Sequence, residues 1–146
     1  MNINDLAHAY VQALPLNVIN LKEIINWADS IIVKEDEPNI EVLELAGSTK
    51  GSEVMAQLSL LSSGYDEEAS MRIFFGLCFK ALKNGDAEYP KVAKRLFFWS
   101  AYETSLHGFE ELTSYWDALD LADRGIYGNP EEIKENMLNF SDAKRV

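Results

Sequence analysis

The chain has 146 residues, of which 24 are acidic and 13 basic, so its formal net charge is −11. This charge argues against nucleic acid as a direct partner, because phosphates would be repelled, and it would steer a basic partner toward the surface. The apolar fraction of 47% excludes a disordered chain, and the length suits one domain over residues 1–146.

The N-terminal region contains no basic residue before Lys22, so we expect no export signal and a cytoplasmic location. The most apolar run, 71–79, contains Arg72 and is too short to span a bilayer, so we expect no membrane association. Cys78 lies in this run and is expected to be a small buried side chain. One cysteine and two histidines argue against a zinc site or a nucleophilic triad.

Apolar residues that recur at three- and four-residue spacing predict an all-α fold, an irregular bundle of about six to seven helices. The clearest helix begins after Asn20, whose side chain can cap it, and Glu23 three residues later completes a capping box. Further helix caps are expected at Asn4, Ser52 and Asn129.

The most apolar helices are expected to form the centre of the bundle. A helix through 66–84 and one from Asp86 or Glu88 to about Leu106 should pair as a central antiparallel hairpin, because a short turn joins them. The second of these helices should leave little surface for solvent at its middle, where its apolar and aromatic residues include Phe97, Trp99 and Tyr102. The tail from Ser141 onward is expected to be loose.

Charge is distributed unevenly along the chain. Residues 1–71 carry 12 acids and 3 bases, residues 72–95 carry 2 acids and 6 bases, and residues 96–133 carry 8 acids and 1 base. Two interpretations remain open. The basic segment either pairs internally with its acidic neighbours, or it makes the molecule dipolar, so that a partner docks in a fixed orientation.

Asp117, Asp120 and Asp123 recur every three residues on one predicted helix, which places their carboxylates near one face. Glu110 and Glu111 lie about two turns earlier. Crowded carboxylates of this kind hold magnesium in all-helical phosphohydrolases. The lysine and arginine side chains that such enzymes use to hold phosphate are not evident nearby, so we expect no metal, no cofactor and no catalytic residue.

Aromatic residues lie beside these carboxylates, as they do in many protein interfaces. The first candidate docking face therefore combines five acids with two aromatic residues near its rim: Glu110, Glu111, Tyr115, Trp116, Asp117, Asp120 and Asp123. The alternate face is acidic and follows Trp27 in the chain: Asp29, Glu35, Asp36 and Glu37.

A small, strongly acidic helical chain with these features resembles the bacterial immunity proteins of toxin–immunity systems, including contact-dependent growth inhibition. Residues 21–29, 35–38 and 110–123 carry the resemblance. It implies a non-catalytic cytosolic protein that neutralises a basic toxin, in many cases a nuclease, with carboxylates in place of phosphates. Complementary charge would raise the association rate, and buried aromatic residues would set the dissociation rate.

Two alternatives remain. The first is a magnesium-dependent all-α phosphohydrolase built on the same helical carboxylates, and the second is a helical adaptor for another cytosolic protein. The oligomeric state is not predicted.

Overall fold

The computed structural model describes residues 2–126 and 128–145. Within them all regular secondary structure is helical, which confirms the all-α fold class. Eight α-helices are present in these residues, rather than the six to seven expected, and none is both long and apolar enough to cross a membrane. They are α1 (Ile3–Ala13), α2 (Leu21–Lys34), α3 (Ile40–Ala46), α4 (Gly51–Leu61), α5 (Glu67–Asn84), α6 (Tyr89–Phe98), α7 (Leu112–Asp123) and α8 (Pro130–Lys144).

Capping interactions set the start of several helices. The side chain of Asn20 accepts the N–H of Glu23 at 2.8 Å, and the Glu23 carboxylate accepts the N–H of Asn20 at 3.1 Å. This confirms the predicted capping box of α2. Asn129 accepts the N–H of Glu131 at 3.0 Å and caps α8, as predicted. Each bond satisfies a backbone donor that the helix itself leaves unpaired.

Two other predicted helix starts are wrong by one or two residues. Asn2, rather than Asn4, caps α1, because its side chain accepts the Asn4 N–H at 2.7 Å. The side-chain NH2 of Asn4 instead donates to the carbonyl of Leu61 at 2.9 Å, so this side chain makes a tertiary contact and does not cap the helix. α4 begins at Gly51, without a side-chain cap, and not after Ser52.

The helices pack in an order that differs from their order in the chain. Extensive contacts join α2 to α3, α3 to α4, α4 to α1, α1 to α5, α5 to α8, α8 to α7 and α7 to α6. The pair α1 and α5 therefore lies at the middle of this series, with α2 and α6 at its two ends. The predicted central hairpin is not confirmed, because α5 packs against α1 and α8 whereas α6 packs against α7.

An aromatic cluster around α5 holds several of these elements together. Phe75 is fully buried, stacks on Phe109 with ring centroids 5.7 Å apart, and meets Trp99 and Phe140 edge to face at 6.1 and 5.7 Å. The cluster thus joins α5 to the segment after α6, the loop before α7, and α8. Cys78, on the same helix, is fully buried as predicted, and burial raises the pKa of its thiol.

The predicted loose tail is helical as far as Lys144, and Ser141 is buried. Two tertiary contacts hold it. The guanidinium of Arg72 donates to the carbonyl of Lys144 at 3.1 Å, and the ammonium of Lys144 lies 4.9 Å from the centroid of the Phe109 ring. Val146 lies outside the described residues.

Replacing Phe75 with alanine removes the ring that the other three aromatic residues of the cluster contact. We expect the free energy of unfolding, measured by urea denaturation, to fall by about 3–5 kcal/mol, since a buried ring is lost and a cavity remains. Tyr102→Ala is the matched control. Its side chain is 74% exposed, so the change should stay within about 0.5 kcal/mol. Equal losses in the two variants would show that Phe75 is not central to the core.

Candidate functional site

The structure divides the first predicted docking face into two parts. Trp116 lies on the side of α7 that faces α6, with its ring centroid 5.2 Å from that of an α6 phenylalanine. Tyr115 lies on the side that faces α8, with its ring centroid 6.2 Å from that of an α8 phenylalanine. Because residues three or four apart share one side of a helix, Asp120 and Asp123 accompany Trp116, and Glu111 accompanies Tyr115.

The α8 side of this helix is occupied by internal contacts. Tyr115 is only 7% exposed, and its hydroxyl donates to the Glu111 carboxylate at 3.0 Å. Burial is the largest cause that raises the pKa of Tyr115, and the hydrogen bond to Glu111 is the next. The predicted position of Tyr115 at the rim of a docking face is therefore wrong, because α8 covers the side chain.

Glu110 and Glu111 are exposed at the turn that leads into α7. The Glu110 carboxylate accepts the N–H of Gly108 at 3.0 Å. Hydrogen bonds from the backbone N–H groups of Glu110 itself and of Gly108 lower the pKa of Glu110. Both glutamates thus have local partners, one in the turn and one in the Tyr115 hydroxyl, which lowers their availability to a docking protein.

The α6 side of α7 carries an aromatic cluster that opens to solvent. We call it the aromatic face, and it comprises Phe97, Phe98, Tyr102 and Trp116. The ring centroids of its contacting members are 5.2–6.2 Å apart. Phe98 and Tyr102 are among the exposed large apolar side chains of the described residues.

The most exposed ring of the aromatic face lies on an irregular turn. α6 ends in a π-helical turn, Trp99–Glu103, which carries Tyr102. Such turns add a residue to a helical turn, rotate the residues that follow, and are frequent at functional sites. The sequence predicts Tyr102 on a regular, mostly buried helix, and this prediction is wrong. The three consecutive aromatic residues 97–99 could have predicted an exposed ring here, because they cannot all lie on one side of a helix.

Charged groups border the aromatic face. The ammonium of Lys94 lies 5.5 Å from the Trp116 ring centroid, and Arg124 pairs with Asp120 at 3.2 Å. Asp117 and Asp123 are exposed, and neither forms an ion pair with another described residue. The structure therefore places two exposed carboxylates, Asp120 and Asp123, on the side of α7 that carries the partly buried Trp116, and Asp117 is exposed on another side of the same helix.

The alternate acidic face lies at the other end of the helix series. Asp29 is exposed on α2, and residues 35–37 are exposed in the loop before α3. Trp27 is half-buried, and its ring meets that of Tyr10 edge to face with centroids 5.0 Å apart. Trp27 thus contributes to the packing of α2 on α1, whereas the neighbouring carboxylates remain in solvent.

A polar network that the sequence analysis did not predict joins α1, α5 and α6. His8 Nδ1 lies 2.6 Å from Ser70 Oγ, and the imidazole stacks on the Tyr65 ring with centroids 3.6 Å apart. Arg95 of α6 donates to the side-chain oxygen of Gln12 on α1 at 2.9 Å and forms an ion pair with Glu103 of the π-helical turn. Ser70 is fully buried inside α5, so this histidine–serine pair is a packing contact and not an exposed nucleophile.

The carboxylates of α7 do not converge on one centre. Within residues 2–126 and 128–145, no group of three histidine, cysteine, aspartate or glutamate side chains is placed to hold a metal ion. Comparison with known proteins adds no assignment, because no family model, curated protein or solved structure matches the chain. The exposed surfaces are therefore the features of the molecule that bear on its function.

His8 should make the stability of the protein depend on pH below 6.5. Burial is the largest cause that lowers the pKa of His8, and Arg95 acts in the same direction, whereas Glu67, Asp5 and Glu103 act against it. The unfolded chain binds a proton near pH 6.5, while the folded imidazole stays neutral to lower pH. The free energy of unfolding should thus fall as the pH decreases from 6.5 toward the folded pKa.

This dependence is measured by urea denaturation at a series of pH values. We expect a smaller decrease in His8→Gln than in the wild-type protein, because glutamine binds no proton. His107→Gln, which removes the exposed second histidine, is the matched control for loss of an imidazole. Identical pH profiles for His8→Gln and the wild type would show that His8 does not link folding to pH.

Proposed function

We propose that the protein is a non-catalytic immunity protein that binds and neutralises a basic toxin, with a nuclease as the expected toxin class. The observation that carries this proposal is the aromatic face bordered by the carboxylates of α7. Asp120 and Asp123 lie on the side of α7 that carries Trp116, and Asp117 is exposed on the same helix, so one partner surface can contact the exposed rings and these carboxylates together.

The aromatic face supplies the apolar part of the proposed interface. Tyrosine and tryptophan are enriched among the residues that dominate binding energy, because they bury a large area and keep a polar group for hydrogen bonding. Burial of one such side chain contributes about 1.5–3 kcal/mol. Tyr102, the most exposed ring, and Phe98 would lose solvent on binding, while Trp116 is already half-covered and would form the floor of the contact.

The carboxylates supply the electrostatic part. A net charge of −11 attracts a basic protein from a distance and speeds its association. At short range, Asp117 and Asp123 are unpaired among the described residues and can receive lysine or arginine side chains. In a nuclease those side chains hold phosphates, so bound carboxylates would block the channel that the substrate needs. Such binding weakens as salt is added.

The test begins with a basic protein captured by the wild-type chain from its native host. The captured protein is expressed alone and together with the chain, and growth, toxin activity and affinity are measured. We expect growth arrest by the toxin alone and recovery with the wild-type chain. Asp117→Lys combined with Asp120→Lys should weaken binding at low salt by at least about tenfold, because charge pairs at an interface become repulsive.

Glu35→Lys combined with Asp36→Lys is the matched control, since it reverses two charges at the other end of the helix series. We expect this control to bind the toxin with nearly wild-type affinity. A captured partner without toxicity would favour the adaptor function over the immunity function. Equal toxin binding by the α7 double variant and the wild type would reject the α7 side as the docking surface.

A further inference from the structure

The end of the helix series opposite the aromatic face exposes four aliphatic side chains. Val33 is 86% exposed, Ile40 64%, Leu60 61% and Leu43 46%. We call these four residues the aliphatic face. Single exposed aliphatic residues are common on protein surfaces. Ile40, Leu43 and Leu60 belong to α3 and α4, which pack on each other, and Val33 belongs to α2, which packs on α3. Exposed apolar side chains grouped on packed helices are of the kind that marks interaction sites.

The geometry of α3 and α4 brings their exposed sides together. Ile40 and Leu43 are three residues apart and share one side of α3. The side-chain amide of Gln57 on α4 donates to the carboxylate of Glu44 on α3 at 2.9 Å, which joins the two helices along their solvent side. Leu60 lies three residues after Gln57 and shares its side of α4. The aliphatic side chains therefore flank the junction of two packed helices.

Acidic residues surround the aliphatic face. The stretch 33–44 contains one base, Lys34, and five acids, which are Glu35, Asp36, Glu37, Glu41 and Glu44. None of these five acids forms an ion pair with another described residue. Because their charges are not neutralised locally, a partner that covers the aliphatic side chains has to bring positive charge to the border.

We propose that the aliphatic face binds a basic amphipathic helix of a second protein partner. A helix laid along the junction of α3 and α4 would insert apolar side chains at three- and four-residue spacing between Ile40, Leu43 and Leu60. Lysine or arginine residues on the flanks of that helix would meet the acidic border. This contact is separate from the proposed toxin interface, because the aliphatic face lies on α2, α3 and α4, whereas the aromatic face and its carboxylates lie on α6, the π-helical turn and α7.

The charge of the border also selects among possible occupants. A second copy of the chain would bring another net charge of −11 and the same acidic border to the contact, so the two copies would repel. Anionic lipid surfaces would be repelled for the same reason. A basic amphipathic helix gains binding energy from both the apolar and the acidic residues of the surface. It therefore fits this surface better than a second copy of the chain or an anionic lipid surface does.

The probe is a synthetic leucine–lysine peptide whose leucines recur at helical spacing. Its control is a peptide of the same composition in scrambled order, which keeps the charge but has no apolar side. Affinities are measured by isothermal titration calorimetry, and NMR chemical-shift changes locate the contact. We expect the patterned peptide to bind at least about tenfold more tightly than the scrambled one, with shift changes at the aliphatic face.

Ile40→Ser combined with Leu43→Ser should weaken binding of the patterned peptide by at least about tenfold. Tyr102→Ser, which removes an exposed ring from the aromatic face, is the matched control and should bind the peptide as the wild type does. Since all three positions are exposed, the variants should fold, and far-ultraviolet circular dichroism with thermal unfolding checks this. The variant with Asp117→Lys and Asp120→Lys should also bind the peptide as the wild type does. Either proposal can therefore be rejected without rejecting the other.

Three outcomes would overturn the proposal. Equal affinity for the patterned and scrambled peptides would show that the acidic surface attracts any cation without regard to apolar pattern. Unchanged affinity in the Ile40→Ser, Leu43→Ser variant, or shift changes at the aromatic face, would place the helix elsewhere. A wild-type dimer in sedimentation equilibrium that this variant makes monomeric would show that a second copy covers the aliphatic face.

Discussion

The packing of α1 on α5 is the interaction on which the other helix positions depend. Ala9 and Ala13 of α1 are fully buried and follow Asp5 at four-residue spacing, which places them on the side of α1 that carries Asp5. The carboxylate of Asp5 accepts the N–H of Asp66 at 2.7 Å, so a nearly buried charge has a hydrogen-bond donor at the start of α5. From this pair, α4, α3 and α2 extend in one direction and α8, α7 and α6 in the other. The two exposed apolar faces lie on these two arms.

Features that depend on a few neighbouring residues could be predicted from the sequence. The helices and the α2 capping box follow from spacing and from groups within four residues of one another. The acidic residues assigned to the two docking faces are all exposed, because a charge is costly to bury without a partner. Where a distant contact competes with a local one, the prediction failed. Asn4 bonds a carbonyl 57 residues away, and Lys144 holds the end of α8 against an aromatic ring.

The candidate surface was harder to predict because periodicity shows that one side of a helix is apolar but not which helix covers it. Tyr115 and Tyr102 are opposite examples of this difficulty. Tyr115 was placed at a surface rim but is covered by α8, whereas Tyr102 was placed inside but is exposed because α6 ends the helix series and then forms a π-helical turn. Both outcomes depend on the helix order, which the predicted α5–α6 hairpin did not describe.

The basic segment, residues 72–95, could influence the orientation of a bound partner through its positive charge. Arg72 pairs with Glu68 at 2.9 Å, Lys91 pairs with Glu88 at 3.2 Å, and Arg95 pairs with a glutamate of the π-helical turn, so half of its six bases form ion pairs within the chain. The unpaired carboxylates that border apolar side chains lie instead at the two ends of the helix series. Since both ends of the helix series carry negative charge, electrostatic attraction alone would bring a basic partner to either end. The choice between them then rests on their apolar parts, because exposed aromatic rings and exposed aliphatic side chains complement different partner surfaces.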